Sequence, residues 1–171
     1  INLVTNGLPA LALGIDPPDP KLMIEPPRDT RAGLLSKRDY LGILYVGGLM
    51  GAAAIMLYAT AGLGEDAVLK ARALAFSLLA LSPLFHAWSC RSPSRSLFQS
   101  KPLVSLPLLL AVLTSAAIHL VAVLVPGLRP VFRTYAMSSG DWLLLIGVSA
   151  LIIPGVEIAK AVYRSTYLEE T

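Results

Sequence analysis

Four long apolar runs dominate this sequence, and each is long enough to cross a lipid bilayer as a helix. They cover about residues 40–64, 71–90, 102–126 and 142–163. A transmembrane helix needs about 20 predominantly apolar residues, because the hydrocarbon core of a bilayer is about 30 Å thick. The chain is 55% hydrophobic and only 15% charged, which is typical of a membrane protein. We therefore predict an all-α integral membrane fold with a bundle of four transmembrane helices, in contact with the lipid bilayer.

The charged residues fit a membrane topology better than nucleic-acid binding. The formal net charge is only +3, and the 14 basic residues lie in short loops and at helix ends. A nucleic-acid-binding domain instead presents a basic patch or stripe on one face. We therefore expect no nucleic-acid partner. The only cysteine, Cys90, excludes a disulfide within the chain.

A shorter apolar segment, residues 1–15, precedes the four runs and carries three polar residues. Asn2, Thr5 and Asn6 stand at i, i+3 and i+4, a spacing that places them on one face of a helix. Uncharged residues continue to Ile15. We expect this segment to be the end of a membrane helix. Polar side chains at that depth are costly unless they face a partner or a cation path.

Gly7 and Pro9 directly follow these polar residues and favour a local opening of the helix. Glycine loosens a helix, and proline removes an amide donor, so that a nearby carbonyl oxygen loses its helical partner. Amide, hydroxyl and carbonyl oxygens are the ligands that hard cations take. The spacing alone leaves two interpretations open, a cation site or a set of hydrogen bonds between helices.

Residues 16–39 separate this segment from the four runs and form a loop rich in proline and charge. Pro17-Pro18 and Pro26-Pro27 fix the backbone and disfavour helix at the residue before each pair. The loop is therefore predicted to be extended and stiff.

Other polar and small residues of the apolar runs are interpreted as structural. Glu157 and Lys160 stand at i, i+3 near a helix end, a spacing suited to a local ion pair. His86 and His119 are expected to be hydrogen-bonded within the helix bundle, with a cation path as the alternative. Small residues in the run 40–64 are interpreted as a face for close helix packing. These residues are Gly42, Gly47, Gly48, Gly51 and the run from Ala52 to Ala54.

Several motifs follow one another in a fixed order from the start of the chain. They include NLVTNGLPA at residues 2–10, two prolines at 17–18, PPR at 26–28 and, much later, SGDWL at 139–143. In this order and spacing they resemble the C-terminal membrane region of type-II P-type cation ATPases, the calcium-pump group. The resemblance covers essentially the whole chain. It implies that residues 1–15 end the sixth membrane helix, 16–39 form a cytoplasmic loop, and 40–171 hold helices seven to ten.

The resemblance also implies a partial cation site. In this family the matching residues of the sixth helix bind the transported cation, so Asn2, Thr5 and Asn6 are the expected ligands and calcium the expected ion. Two positions depart from the family pattern. Asn6 stands where the family usually has Asp, and Pro83 stands where it usually has Glu or Gln. A negative charge and a side-chain oxygen are thereby lost.

The remaining functional parts lie outside this chain if the resemblance holds. The loop is expected to sit beneath an ATP-driven headpiece, with Arg28 as the residue that pairs with an acidic partner. No DKTGT-like phosphorylation motif and no nucleotide-binding loop occur in the sequence. Magnesium and ATP are therefore expected only in the parent enzyme, no catalytic residue is assigned here, and the chain alone should not hydrolyse ATP.

The distribution of the basic residues predicts the membrane topology independently of the family resemblance. If the Pro-rich loop is cytoplasmic, ten of the 14 basic residues lie on that side: Lys21, Arg28, Arg31, Lys37, Arg38, Arg91, Arg95, Lys101, Lys160 and Arg164. The positive-inside rule then places the loop and the C-terminus in the cytoplasm. The bacterial type of the resemblance implies a bacterial plasma membrane.

Two other interpretations compete with a pump region. One is a stand-alone four-span assembly or regulatory protein derived from the C-terminal half of a pump. The other is a secondary channel or carrier, which the sequence disfavours because Glu157 is the only clearly acidic position in the middle or late part of the four runs.

Overall fold

Alpha-helices make up the architecture of this chain. The structure, a computed structural model, describes residues 2–17, 33, 35–61, 65–92, 96–97, 105–132 and 134–168, apart from the side chains of residues 2, 38, 65–66 and 163–168. These ranges hold α1 (Asn2–Gly14), α2 (Lys37–Thr60), α3 (Glu65–Ser89), α4 (Leu106–Leu124), α5 (Arg129–Phe132), α6 (Ser139–Ala150) and α7 (Ile152–Leu168). No strand occurs in the described ranges. The predicted all-α fold is confirmed.

Four stretches of helix are long and apolar enough to cross a membrane. They are Asp39–Thr60, Ala67–Ser89, Leu106–Leu124 and Ser139–Val162. The last of them spans α6 and α7. Many large apolar side chains point outward, as expected of a surface that meets lipid rather than water. The chain is therefore an integral membrane protein.

Two of these helices begin at the same kind of cap. The Ser36 hydroxyl accepts a hydrogen bond from the Asp39 amide, while the Asp39 carboxylate accepts one from the Ser36 amide. Ser138 and Asp141 repeat this arrangement at the start of α6. Such reciprocal bonds satisfy amide groups that have no partner inside the helix. Both helices therefore begin at a capping box.

The last membrane stretch is interrupted at Leu151, between α6 and α7. Pro154 follows three residues later, and its ring nitrogen cannot donate to the carbonyl of Ala150. The missing bond explains why the helix is broken at this point.

Helix α3 is the centre of the bundle. It packs against α1, α2, α4, α6 and α7, and half of its membrane stretch is buried, compared with 11% of the stretch in α2. Its leucines, with partners from α2 and α6, form the main apolar core. A second cluster joins Ala87 of α3 to Ala12 of α1 and Leu108 of α4. The second cluster fixes where α1 lies against the rest of the chain.

The small-residue face predicted for α2 is used at its alanines, since Ala54 is buried in the main core and Ala53 packs against it, but within the described chain not at its glycines. A Cβ atom added at Gly42, Gly47, Gly48 or Gly51 would meet no atom within 4 Å. Close packing occurs instead at Gly155 of α7, where an added Cβ would lie 3.1 Å from Cδ1 of Leu49. The hydroxyl of Tyr45 also donates to the Gly155 carbonyl across 3.1 Å. Helix α2 therefore touches α7 through its larger side chains.

Candidate cation site and its supports

One face of α1 is covered by the rest of the bundle. Thr5, Pro9 and Ala12 are buried, and Ala12 packs in the cluster with α3 and α4. Thr5 and Ala12 are seven residues apart and therefore share a helix face. The structure thus directs Thr5 toward α3 and α4.

Pro9 changes the hydrogen bonding of the residue four positions earlier. It lies inside α1, where its nitrogen has no proton to give. The carbonyl of Thr5 consequently cannot accept the usual helical hydrogen bond from residue 9. Gly7 stands between the two, and a Cβ there would meet no atom within 4 Å. Both the hydroxyl and the carbonyl oxygen of Thr5 lie at this altered turn.

Asn6 presents an enclosed acceptor atom. Its side-chain oxygen, Oδ1, is buried and has no hydrogen-bond partner within the described part of the chain. The residue as a whole is half-buried, about 100° around the helix from Thr5. Buried polar atoms in proteins nearly always have a hydrogen-bond partner. A buried amide oxygen that has no donor is therefore suited to bind a cation.

Two other predicted functional residues cannot be placed in the same way. Asn2 begins α1, but its side chain lies outside the described residues, and so does the whole of Arg28. Most of the predicted loop 16–39 also lies outside them. The position of Asn2 as the third polar residue of one face remains a prediction from its spacing.

Pro83 lies inside α3, which continues through it from Glu65 to Ser89. Its half-buried side chain is a saturated ring and offers no oxygen or nitrogen to a cation. Pro83 therefore cannot bind a cation through its side chain.

An ion pair that the sequence analysis did not predict joins the end of α1 to the end of α3. The Nε atom of Arg91 donates to Oδ2 of Asp16 across 2.8 Å, and the two side chains are only 4% and 8% exposed. They are 75 residues apart in the chain, so no local pattern could have indicated the pair. It holds the start of the Pro-rich loop against α3.

Glu157 and Lys160 form the predicted ion pair, with Nζ and Oε1 separated by 3.2 Å. Each also binds a second element. Lys160 donates to the carbonyl of Ser89 across 2.6 Å, and Glu157 accepts a hydrogen bond from the amide of Leu97 across 3.1 Å. The pair thus ties α7 to the end of α3 and to the segment that follows it, which is a structural role.

The two histidines differ in their surroundings. Nε2 of His86 lies 3.2 Å from Sγ of Cys90, one helical turn away. His119 is fully buried, and its ring packs against Phe76 with centroids 5.4 Å apart. Neither nitrogen of His119 has a hydrogen-bond partner among the described residues, so the hydrogen bonds expected for it are not found.

The described residues hold no group of three or more His, Cys, Asp or Glu side chains that could bind a metal ion together.

Comparison with known proteins decides the family. A family described as cation transporting ATPase, C-terminus, matches residues 1–162. The chain belongs to this family. The relationship to the C-terminal membrane region of calcium-pump-like ATPases expected from NLVTNGLPA and the later motifs is confirmed.

Relatives of this cation-ATPase C-terminal region are much longer proteins. A calcium-transporting ATPase of Bacillus subtilis (strain 168) is 38% identical over 152 residues, which cover 88% of this chain and 17% of that protein. Calcium-transporting ATPase 1 of Bacillus cereus is 28% identical over 171 residues, 90% of this chain and 19% of that protein. The human calcium-transporting ATPase type 2C member 1 is 28% identical over 165 residues, which cover 96% of this chain and 18% of that protein. The chain thus spans less than a fifth of the length of these relatives.

Proposed function

We propose that this cation-ATPase C-terminal region works as part of an ATP-driven calcium pump and supplies cation ligands from Asn2, Thr5 and Asn6. The observation that carries the proposal is the enclosed, unpartnered Oδ1 of Asn6 beside a helical turn that Pro9 has altered. The names of the relatives, which are calcium-transporting ATPases, support calcium as the ion.

The ligands of this half of the site are neutral. Amide and hydroxyl oxygens bind a hard cation, but they give less electrostatic attraction than a carboxylate. Acidic ligands from helices outside this chain would supply the remaining charge. The pump would therefore combine a neutral half-site on α1 with a charged half-site elsewhere.

The Pro-rich loop 16–39 is the proposed connection to the ATP-driven parts. Its start is fixed to α3 by the buried pair of Asp16 and Arg91, so a force on the loop would reach both α1 and α3. Arg28 would bind an acidic group of a cytoplasmic headpiece. Magnesium and ATP belong to that headpiece, and the other membrane helices of the pump complete the list of partners.

The orientation is proposed from charge. The ends of α1, α3 and α7 meet at one end of the bundle, where Arg91 and Lys160 lie. The opposite end is marked by the ion pair of Lys70 with Asp141. The positive-inside rule places the first end, with the loop and the C-terminus, in the cytoplasm of a bacterial plasma membrane.

Calcium uptake into membrane vesicles tests the proposal. The intact protein should drive ATP-dependent calcium uptake into inverted vesicles, and Thr5→Ala should weaken it by removing a ligand oxygen. Leu3→Ala on the same helix is the matched control, because Leu3 is 87% exposed and should not affect the site. Absence of ATP-dependent uptake by the intact protein, or equal loss in both variants, would contradict the proposal.

A further inference from the structure

Fully buried polar side chains occur where α1, α3 and α4 pack together. Ser77 of α3 and Ser115 and His119 of α4 are all 0% exposed. Neither hydroxyl oxygen and neither imidazole nitrogen has a hydrogen-bond partner in the described ranges. Thr5 of α1 is buried to the same degree. The cation site proposed above uses only Thr5 of these four.

The packing of the three helices places these residues at similar depths. Ala12, Ala87 and Leu108 meet in one cluster and define a common level. Thr5 lies seven residues before Ala12, and Ser115 lies seven residues after Leu108. At 1.5 Å per residue, both are about 10 Å from the cluster in the same direction.

Ser77 and His119 lie slightly farther along. Ser77 is ten residues before Ala87, and His119 is eleven residues after Leu108, so both are about 15 Å from the cluster. An observed contact supports this register independently. Phe76, eleven residues before Ala87, has its ring centroid 5.4 Å from that of His119.

Ser115 lies on the side of α4 that faces α1 and α3. Ser115 and Leu108 are seven residues apart, as are Thr5 and Ala12, and a separation of seven returns to the same helix face. Ser77 is fully buried on α3 next to Phe76, whose ring contacts that of His119. Unpartnered buried hydroxyls also occur at Ser82, Ser89, Ser105 and Ser149, but at this level they accompany both unpartnered ring nitrogens of His119.

Such a junction is a binding site for a small molecule that can both donate and accept hydrogen bonds. A neutral imidazole offers one donor and one acceptor, and each hydroxyl offers both. Buried polar groups in proteins nearly always have a partner, and buried water commonly provides it when two to four polar groups converge. We propose that the junction of α1, α3 and α4 binds water, held by Ser77, Ser115 and His119.

The water site goes beyond the proposed calcium site and does not depend on it. It lies beside Thr5 on the face that α3 and α4 cover, whereas the unpartnered oxygen of Asn6 lies farther around α1. If the protein pumps calcium but the junction is dry, only the water proposal fails. If water is bound but the protein pumps no calcium, only the calcium proposal fails. The two proposals can therefore fail separately.

Thermal denaturation of the intact protein in detergent gives opposite results for a hydrated and a dry junction. If Ser115 binds water, Ser115→Ala removes a satisfied group and should lower Tm by about 2 °C or more. If the junction is dry, the same change removes an unpaired hydroxyl, and Tm should stay constant or rise. That result would overturn the proposal.

Thr114→Ala is the matched control. Thr114 directly precedes Ser115 in α4, but its side chain is exposed. Its replacement removes a hydroxyl that lies outside the junction and should leave Tm unchanged. A fall in Tm equal to that of Ser115→Ala would mean that loss of a hydroxyl from this turn of α4 is destabilising in general, which also overturns the proposal.

Nitrogen NMR of the histidine rings reports on the site directly. The difference between spectra of the intact protein and its His119→Gln variant isolates the His119 signals. We expect both ring nitrogens to show hydrogen-bonded shifts and magnetisation transfer from water, and this transfer should persist when calcium is added. Signals typical of a nitrogen without a hydrogen bond would overturn the proposal, and so would loss of the transfer on calcium addition, because the occupant would then be the cation.

Discussion

Arg91 and Asp16 form a nearly enclosed ion pair between the ends of α3 and α1, with Nε and Oδ2 separated by 2.8 Å. Burying two charges is costly, and their attraction compensates only while both are present. The pair therefore makes the position of α1 depend on both residues. This position in turn sets where Thr5 lies against α3 and α4.

Removing one member of this pair should destabilise the folded protein more than removing both charges. Arg91→Gln leaves the Asp16 carboxylate buried without its cation, and such losses cost about 3–5 kcal/mol. The double variant Asp16→Asn with Arg91→Gln leaves no unpaired charge and should recover much of this stability. Thermal denaturation of the intact protein in detergent measures both. A double variant less stable than Arg91→Gln would show that the pair is not what fixes this end of α1.

At the other end of the bundle, Asp141 has two structural roles and Lys70 has one. The carboxylate caps α6 through Ser138 and binds Lys70 Nζ at 2.7 Å. The side chain of Lys70 is 34% exposed, so solvent weakens its contribution. We expect Lys70→Met to cost at most about 1 kcal/mol. Asp141→Ala should cost more, since the loss of a cap adds about 1 kcal/mol. Equal losses in denaturant unfolding would argue against the cap.

The proposed topology predicts which exposed positions an impermeant thiol reagent can reach. Leu35 and Val131 are exposed, at opposite ends of the bundle by the proposed orientation. In a Cys90→Ser background, Val131→Cys should react in intact cells and Leu35→Cys only after the membrane is opened. Labelling of Leu35→Cys from outside intact cells would reverse the orientation.

The fold could be predicted from the sequence because it depends on length and apolarity. Four apolar runs of about 20 residues are each long enough to span a bilayer. Within the lipid, a helix satisfies the backbone hydrogen bonds of each run, so the runs are expected to be helices. The caps at Ser36 and Ser138 are equally local. Pro154 could also have indicated the break at Leu151, since proline removes a helical bond at a fixed offset.

The contacts between distant residues could not be predicted in this way. Asp16 with Arg91, and Lys160 with the Ser89 carbonyl, depend on how whole helices pack, which a single sequence does not encode as a pattern. The glycines of α2 illustrate the same limit. Their spacing indicates a packing face, but a Cβ added at Gly47, Gly48 or Gly51 would meet no atom within 4 Å in the described chain, so spacing alone identifies no partner.

The candidate site can be proposed from the sequence because its expected ligands are adjacent on one helix. The spacing of Thr5, Asn6 and Pro9 follows from the sequence alone, and the structure adds that Thr5 is covered while Asn6 keeps an unpartnered oxygen. The polar junction at Ser77, Ser115 and His119 was missed. Ser115 and His119 stand at i, i+4 on α4, but only the packing of α3 against α4 brings Ser77 to a similar depth.

The role of Asn6 as a cation ligand is the central claim. Asn6→Asp adds a negative charge at this position with little change in the shape of the side chain. Two unit charges about 4 Å apart attract by about 4 kcal/mol at an effective dielectric of 20, and a divalent cation doubles this value. Desolvation of the new carboxylate consumes much of the gain. A net gain of a few kcal/mol still changes affinity substantially, because each 1.4 kcal/mol is about tenfold.

The calcium dependence of phosphoenzyme formation by the intact protein therefore tests the account most directly. Asn6→Asp should lower the half-saturating calcium concentration by about tenfold or more at neutral pH, and Asn6→Ala should raise it. Leu3→Ala, on the exposed side of the same helix, should leave it unchanged. If neither Asn6 variant moves the half-saturating concentration by more than about twofold, roughly 0.4 kcal/mol, Asn6 is a packing residue and the account is wrong.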